Sequence, residues 1–196
     1  TAVLRLRWVD NDTVSGVCGK NKFYYFELRD GKLVRWEQID EATAKEAVGP
    51  APENVEGLPS YPGRSWRSHV TAECPWRNGS KLVGTFDGFL AEVRADGSVR
   101  SLGPATCQGP VRSLTADPEK GIAYGVGGDV EDVGNVFRYD EEHGLHYLGY
   151  MASDAWNDDV GACVNFVLSS CALSPDGTRL AIGGCDRMAC AFVCHL

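Results

Sequence analysis

The sequence predicts an all-β fold made of four repeated antiparallel sheets, and three observations predict it. A strand–turn grammar recurs along most of the 196 residues. Runs of four to eight β-branched and aromatic residues are bounded by Gly, Asn and Asp turn chemistry. Helical periodicity is confined to one short stretch.

The first unit, LRLRWVDNDTVSGVCGKNKFYYFELRDGKLVRWEQI, has turns at residues 10–12 and at Asp30-Gly31. An Ala- and Glu-rich segment from Asp40 to Val48 follows and predicts a short helix, stopped by Gly49-Pro50. The second unit reads TAECPWRNGSKLVGTFDGFLAEVRADGSVRSLG from Thr71, and the third reads LTADPEKGIAYGVGGDVEDVGNVFRYDEEHGLHYLGY from Leu114. The fourth reads CALSPDGTRLAIGGCDRMACAFV from Cys171. In the last three, a strand meets a turn at residues 77–79, 117–121 or 175–177, and a second strand is expected to end on Gly84, Gly125 or Gly183. A third strand follows each, and in the second and third units turns at Asp96-Gly97 and His143-Gly144 lead to a fourth.

Four antiparallel strands in a unit of about 40 to 45 residues describe a propeller blade, which buries its faces only by stacking on its neighbours. The expected fold is therefore a β-propeller of about four blades, at residues 2–39, 69–103, 111–150 and 164–196, with inserts at 40–68 and 151–163. A β-sandwich of similar strand count leaves the repeated glycines unexplained. The last blade shows three strands, so the reading expects a larger ring, or a missing strand supplied by another segment or subunit.

Gly127-Gly128 and Gly183-Gly184 in second strands, Tyr139-Asp140 closing GNVFRYD, and Trp36 in VRWEQI together resemble the kelch repeat. The double glycine is missing from the first two units, and the Gly-His and Trp-Asp marks of WD repeats are missing throughout. SPDGTRLAIGG is a phrase shared by many propeller families, so the resemblance implies a fold more than an activity.

Composition narrows the partners. With 27 acidic against 19 basic residues the formal charge is -8, which sets the overall field against a nucleic-acid partner. Apolar runs fall far short of the roughly 20 residues of a membrane-spanning helix. Eight cysteines are many, yet Cys18, Cys74, Cys171 and Cys190 sit in strand-like apolar runs, which predicts buried thiols. Cys185, Cys190, Cys194 and His195 lack the C-x2-C pair of a structural zinc site.

Propeller geometry brings the loops after second strands and the links between blades to one face, where repeat proteins place binding function. The first insert ends in SYPGRSWRSH, which gathers Tyr61, Arg64, Trp66, Arg67 and His69. Aromatic faces suit a sugar ring or an apolar side chain, and the arginine fork suits a carboxylate. Arg112, at the start of the third blade, and Trp156 and Asn157, in the second insert, complete the ligand-binding candidates. Asp87, Asn135, Asp186 and Arg187 are expected in loops on the same face.

Two uses follow. The first is a recognition module for an acidic glycan or a protein segment, which needs only a scaffold, aromatic anchors and forked cations. The second is a polysaccharide-active enzyme, most simply a uronate-directed lyase. There an arginine such as Arg64 or Arg67 neutralises the carboxylate, and His69 or Tyr61 takes the adjacent proton. The catalytic candidates are thus His69, Tyr61 and Arg67. Asp129, Glu131, Asp132, Asp158 and Asp159 are dense enough in oxygen for calcium but follow no EF-hand spacing. No other cofactor is indicated, and no G-x-S-x-G nucleophile motif occurs.

Overall fold

The computed structural model describes residues 2–63, 65, 68–106, 109–128, 134–151, 156–157, 162–163, 167–186 and 188–196. In chain order the elements are β1 (Ala2–Trp8), β2 (Thr13–Gly19), β3 (Phe23–Arg29), β4 (Lys32–Ile39) and helix α1 (Glu41–Val48). Then come β5 (Val70–Pro75), β6 (Lys81–Thr85), β7 (Phe89–Val93) and β8 (Val99–Pro104). They are followed by β9 (Val111–Asp117), β10 (Ile122–Gly127), β11 (Gly134–Asp140) and β12 (Gly144–Met151). The last are β13 (Trp156–Asn157), β14 (Ala162–Cys163), β15 (Val167–Leu173), β16 (Arg179–Asp186) and β17 (Met188–His195).

Among the described residues these make three four-stranded antiparallel meanders, β1–β4, β5–β8 and β9–β12, and a three-stranded sheet, β15–β17, on which β17 is an outer strand. The chain is thus a partial β-propeller, as the repeats predict. No helix among the described residues is long and apolar enough to cross a membrane. The chain forms two compact units, Thr1–Ala51 with Leu168–Leu196, and Pro52–Val167.

In the first unit every residue of β2 is buried, whereas all of β4 except Ile39 is exposed. Burial falls from the stacked strands to the outer one, as blade stacking requires. Val3, Leu6, Val14, Cys18 and Phe26 of the first sheet share a core with Ala172 and Ala181 of the last. The Leu6 N–H donates to Ser170 Oγ at 2.9 Å, and the Trp8 indole donates to the Ala172 carbonyl at 2.8 Å. On the outer strand, Trp36 stacks on Tyr24 with centroids 4.9 Å apart. The expected helix forms: Asp40 caps it by accepting from the Thr43 N–H at 2.7 Å, and Gly49 ends it with φ 82°.

In the second unit, Trp76, Leu82, Leu90, Val111, Leu114, Phe137 and Tyr139 make one core across two sheets. Arg77 ties the sheets at their far end, donating to the Pro118 and Glu119 carbonyls at 2.7 and 3.1 Å and pairing with Glu141 at 2.8 Å. The buried-thiol expectation holds for Cys18, Cys74 and Cys171, while Cys190 is only half-buried. Burial pushes the Cys18 thiol up.

The second strands do not stop on the glycines. β6, β10 and β16 continue to Thr85, Gly127 and Asp186. The glycines recur because neighbouring side chains occupy the space of a Cβ. A Cβ on Gly84 would lie 2.3 Å from Val111, on Gly125 2.2 Å from Phe137, and on Gly183 2.6 Å from Val3. Asn135 also departs from expectation: it lies within β11, paired with Gly127, and is buried.

The turn before β16 carries a pH-dependent contribution. The Asp176 carboxylate accepts from the Ser174 hydroxyl at 2.6 Å, the Thr178 N–H at 3.0 Å and the Thr178 hydroxyl at 2.9 Å. These donors, Ser174 first, hold its pKa at about 2 against an ordinary 3.8. A folded pKa below the unfolded one means the stabilisation is complete above about pH 5 and is lost as pH falls from about 4 to 2. Asp176→Asn should therefore lower the urea midpoint at neutral pH, and the gap from the wild type should shrink across that acid window. A gap constant down to pH 2 would remove the assignment.

Candidate functional site

Three connections of the second unit meet at one end, and the turn between β6 and β7 is their joint. Gly88 has φ +87°, a conformation that disfavours any side chain. Its N–H donates to the Thr85 carbonyl at 3.0 Å, and the Thr85 hydroxyl accepts from the Phe89 N–H at 3.0 Å. The Gly88 carbonyl then accepts from the Ala105 and Thr106 N–H groups at 2.7 and 3.1 Å, fixing the turn to the β8–β9 link. That link is tied onward, because the Gly128 N–H donates to the Pro110 carbonyl at 3.1 Å. A Cβ on Gly127 would meet the Pro110 carbonyl at 2.3 Å, so the close approach needs glycine there.

The insert ahead of β5 packs along the β5–β8 sheet and reaches the same end with His69 and Tyr61. Leu58 and Val55 pack with Val70, Val83, Ala91 and Val93, and the Val70 N–H donates to Asn54 Oδ1 at 3.1 Å. The Phe86 N–H donates to the His69 carbonyl at 3.0 Å, and the two rings stack at 4.9 Å and 23°. Tyr61 meets Phe89 edge-on at 4.8 Å. The Thr71 hydroxyl bridges the two sheets by donating to the Val111 carbonyl at 2.6 Å, one residue before Arg112. Arg112 Nε donates to the Gly128 carbonyl at 3.2 Å.

Tyr61, His69 and Arg112, remote in sequence, therefore occupy one end of one unit: Tyr61 and Arg112 half-buried, His69 exposed. Arg64, Trp66 and Arg67 lie outside the described residues, as do the calcium candidates Asp129, Glu131, Asp132, Asp158 and Asp159. The backbone of Trp156 and Asn157 pairs with Cys163 and Ala162 in a separate two-stranded ladder. Among the described residues no group of three or more His, Cys, Asp or Glu is close enough to hold a metal ion.

Two features were not foreseen. Phe86 and Phe89 form the aromatic base on which His69 and Tyr61 rest, although FDGF in the sequence does carry the signal of an aromatic-flanked turn. Asp87, expected on a loop surface, sits in the turn but is 0% exposed. Neither of its carboxylate oxygens has a hydrogen-bond partner. A buried carboxylate without donors opposes folding, so backbone ties on either side hold it there rather than any attraction of its own.

No protein-family model matches the sequence, and no curated protein matches it. Among solved structures, the computationally designed Ika4 protein aligns over 100% of this chain and 92% of its own, with 15% identity and TM-score 0.45. A chain of the mitotic checkpoint complex aligns over 95% of this chain and 46% of its own, with 15% identity and TM-score 0.45. The tricorn protease aligns over 93% of this chain and 15% of its own, with 12% identity and TM-score 0.40. The antiparallel meanders themselves establish the fold.

Proposed function

We propose that this chain is a recognition module that holds an anionic partner, an acidic glycan or an acidic stretch of protein, at the loop end of the β5–β12 unit. The observation that carries the reading is the convergence of Tyr61, His69 and Arg112 on a base made rigid by two aromatic pairs and by backbone ties through Gly88 and Gly128. Flat rings that are already packed lose little freedom on binding, and an arginine fork supplies direction toward a carboxylate. Arg64, Trp66 and Arg67, which lie between Tyr61 and His69 in the sequence, belong to the same proposal as further binding residues. The kelch-like reading of the blades, drawn from Gly127-Gly128, Gly183-Gly184, Tyr139-Asp140 and Trp36, fits a binding role without naming a ligand.

A glycan and peptide array, followed by titration of the best binder, tests this. Arg112→Ala and His69→Ala are each expected to weaken binding about tenfold, the scale of a central anchor. Unchanged affinity in both variants would reject the loop end as the site. The lyase alternative uses the same residues and separates in one assay. Uronate-containing polysaccharides incubated with the protein would then gain the absorbance of an unsaturated product, which simple recognition does not produce.

A further inference from the structure

A cavity of about 530 Å³ opens in the unit of β1–β4 and β15–β17, between the first sheet and helix α1. Its sheet wall includes Arg5 and Arg7 of β1, Ser15 of β2 and Tyr25 of β3, and its helix wall includes Glu46 and Ala47. Strand alternation explains the first pair. Leu6 is 3% exposed in the core, so its neighbours Arg5 and Arg7 project from the opposite face, about 7 Å apart along the strand.

Several other arginines close on carboxylates, among them Arg35 on Glu37, Arg77 on Glu141, Arg138 on Asp140 and Arg179 on Asp12. Arg5 and Arg7 do not. Arg7 donates to the Ala47 carbonyl at 3.2 Å, and neither makes an ion pair among the described residues. Two adjacent guanidinium forks repel each other unless an anion sits between them, and their planar donors match an oxyanion bidentately. Among the lining residues the Glu46 carboxylate offsets one of the two guanidinium charges, and Glu27, which accepts from the Tyr25 hydroxyl at 2.7 Å, stands beside the same wall. Together they suit a monoanion and disfavour a phosphate dianion. Glu46 also offers an acceptor for ligand hydroxyl groups. The volume falls in the range of roughly 300–1,000 Å³ common for small-molecule sites.

We infer that this cavity is a binding site for a small hydroxylated carboxylate, of sugar-acid size and chemistry. The carboxylate bridges Arg5 and Arg7, and hydroxyl groups donate to Glu46. It is a different site from the loop end of β5–β12 and does not depend on that reading.

Calorimetric titration of the whole chain at low ionic strength with glucuronate, glucose and inorganic phosphate tests it. Glucuronate is expected to bind saturably, with glucose and phosphate each at least about tenfold weaker. Arg5→Ala and Arg7→Ala should each weaken glucuronate about tenfold or more, and Arg5→Lys should also weaken it because the fork is lost while the charge stays. Glu46→Gln should weaken glucuronate and strengthen phosphate. Absent glucuronate binding, phosphate binding tighter than glucuronate, or affinity unchanged in the Arg5→Ala/Arg7→Ala double variant would each overturn the assignment. The wild-type comparison of the three compounds decides the matter even if a variant fails to fold.

Discussion

Gly88→Ala is expected to cost about 2–5 kcal/mol, a large share of the stability of a domain of this size. Two penalties combine. At φ +87° a side chain pays roughly 1–2 kcal/mol for the left-handed backbone. The new methyl would also stand 2.1 Å from Thr106 Oγ1 and 2.6 Å from the Gly109 carbonyl, and overpacking of this kind costs about 1–3 kcal/mol. The hydroxyl could rotate away, but the carbonyl is backbone in the β8–β9 link and can yield only by moving the link. Urea denaturation followed by circular dichroism measures the loss as a fall in midpoint at unchanged slope. The same substitution should weaken binding at the loop end, because Gly88 separates Asp87 from Phe89 and sets the spacing of the aromatic base. A loss below about 0.5 kcal/mol, the scale of a neutral surface change, would mean that the turn is not tied to the link as described.

Phe137→Ala should cost about 3–5 kcal/mol. The residue is 1% exposed, and its ring fills the space that Gly125 leaves beside Leu114. Truncation removes the ring's burial and opens a cavity among Leu82, Leu90 and Tyr139, whose sheets are braced by Arg77 and cannot fully collapse into it. A double-mutant cycle makes the prediction sharper. Gly125→Ala alone is destabilising, since its Cβ would lie 2.2 Å from Phe137 Cζ. In the Phe137→Ala background the same methyl enters mostly vacated space and meets only the Leu114 side-chain end at 2.8 Å, so its penalty should shrink sharply. Additive losses would show that ring and glycine do not share one volume.

Parts of this architecture were legible because their signals are local. Asp40 and Gly49-Pro50 bracket the helix by capping chemistry that involves only near neighbours. The turns at Asp30-Gly31 and Pro175-Asp176-Gly177 follow from backbone conformations that those residues accept readily. The role of the repeated glycines was less legible. Their recurrence marked the repeat, but taking Gly84, Gly125 and Gly183 as strand ends treated them as breakers, when each makes room for a valine or phenylalanine whose position depends on the fold. Asp87 is a similar case. A polar residue in an FDG turn reads as solvent-facing, and only the fixed β8–β9 link buries it.

The candidate sites divide in the same way. That Tyr61 and His69 lie near one another was readable because the insert brings them close in sequence, and that Arg112 lies at the same end because blade geometry returns every link there; their binding role is the proposal above. Phe86 and Phe89 were not, since ring pairing requires knowing which face of the turn meets the insert.

By itself the sequence determined the repeat of strand and turn within the blades, the capped helix and the antiparallel meander, because those follow from periodicity, turn residues and caps acting over a few positions; the short β13–β14 pair it did not show. The tertiary structure alone decided which residues share a volume: Val111 against Gly84, Thr106 against Gly88, and Arg5 and Arg7 beneath a helix more than thirty residues away. Such meetings are set by close packing between sheets and by the docking of an insert, and no local pattern encodes the side chain that will stand opposite.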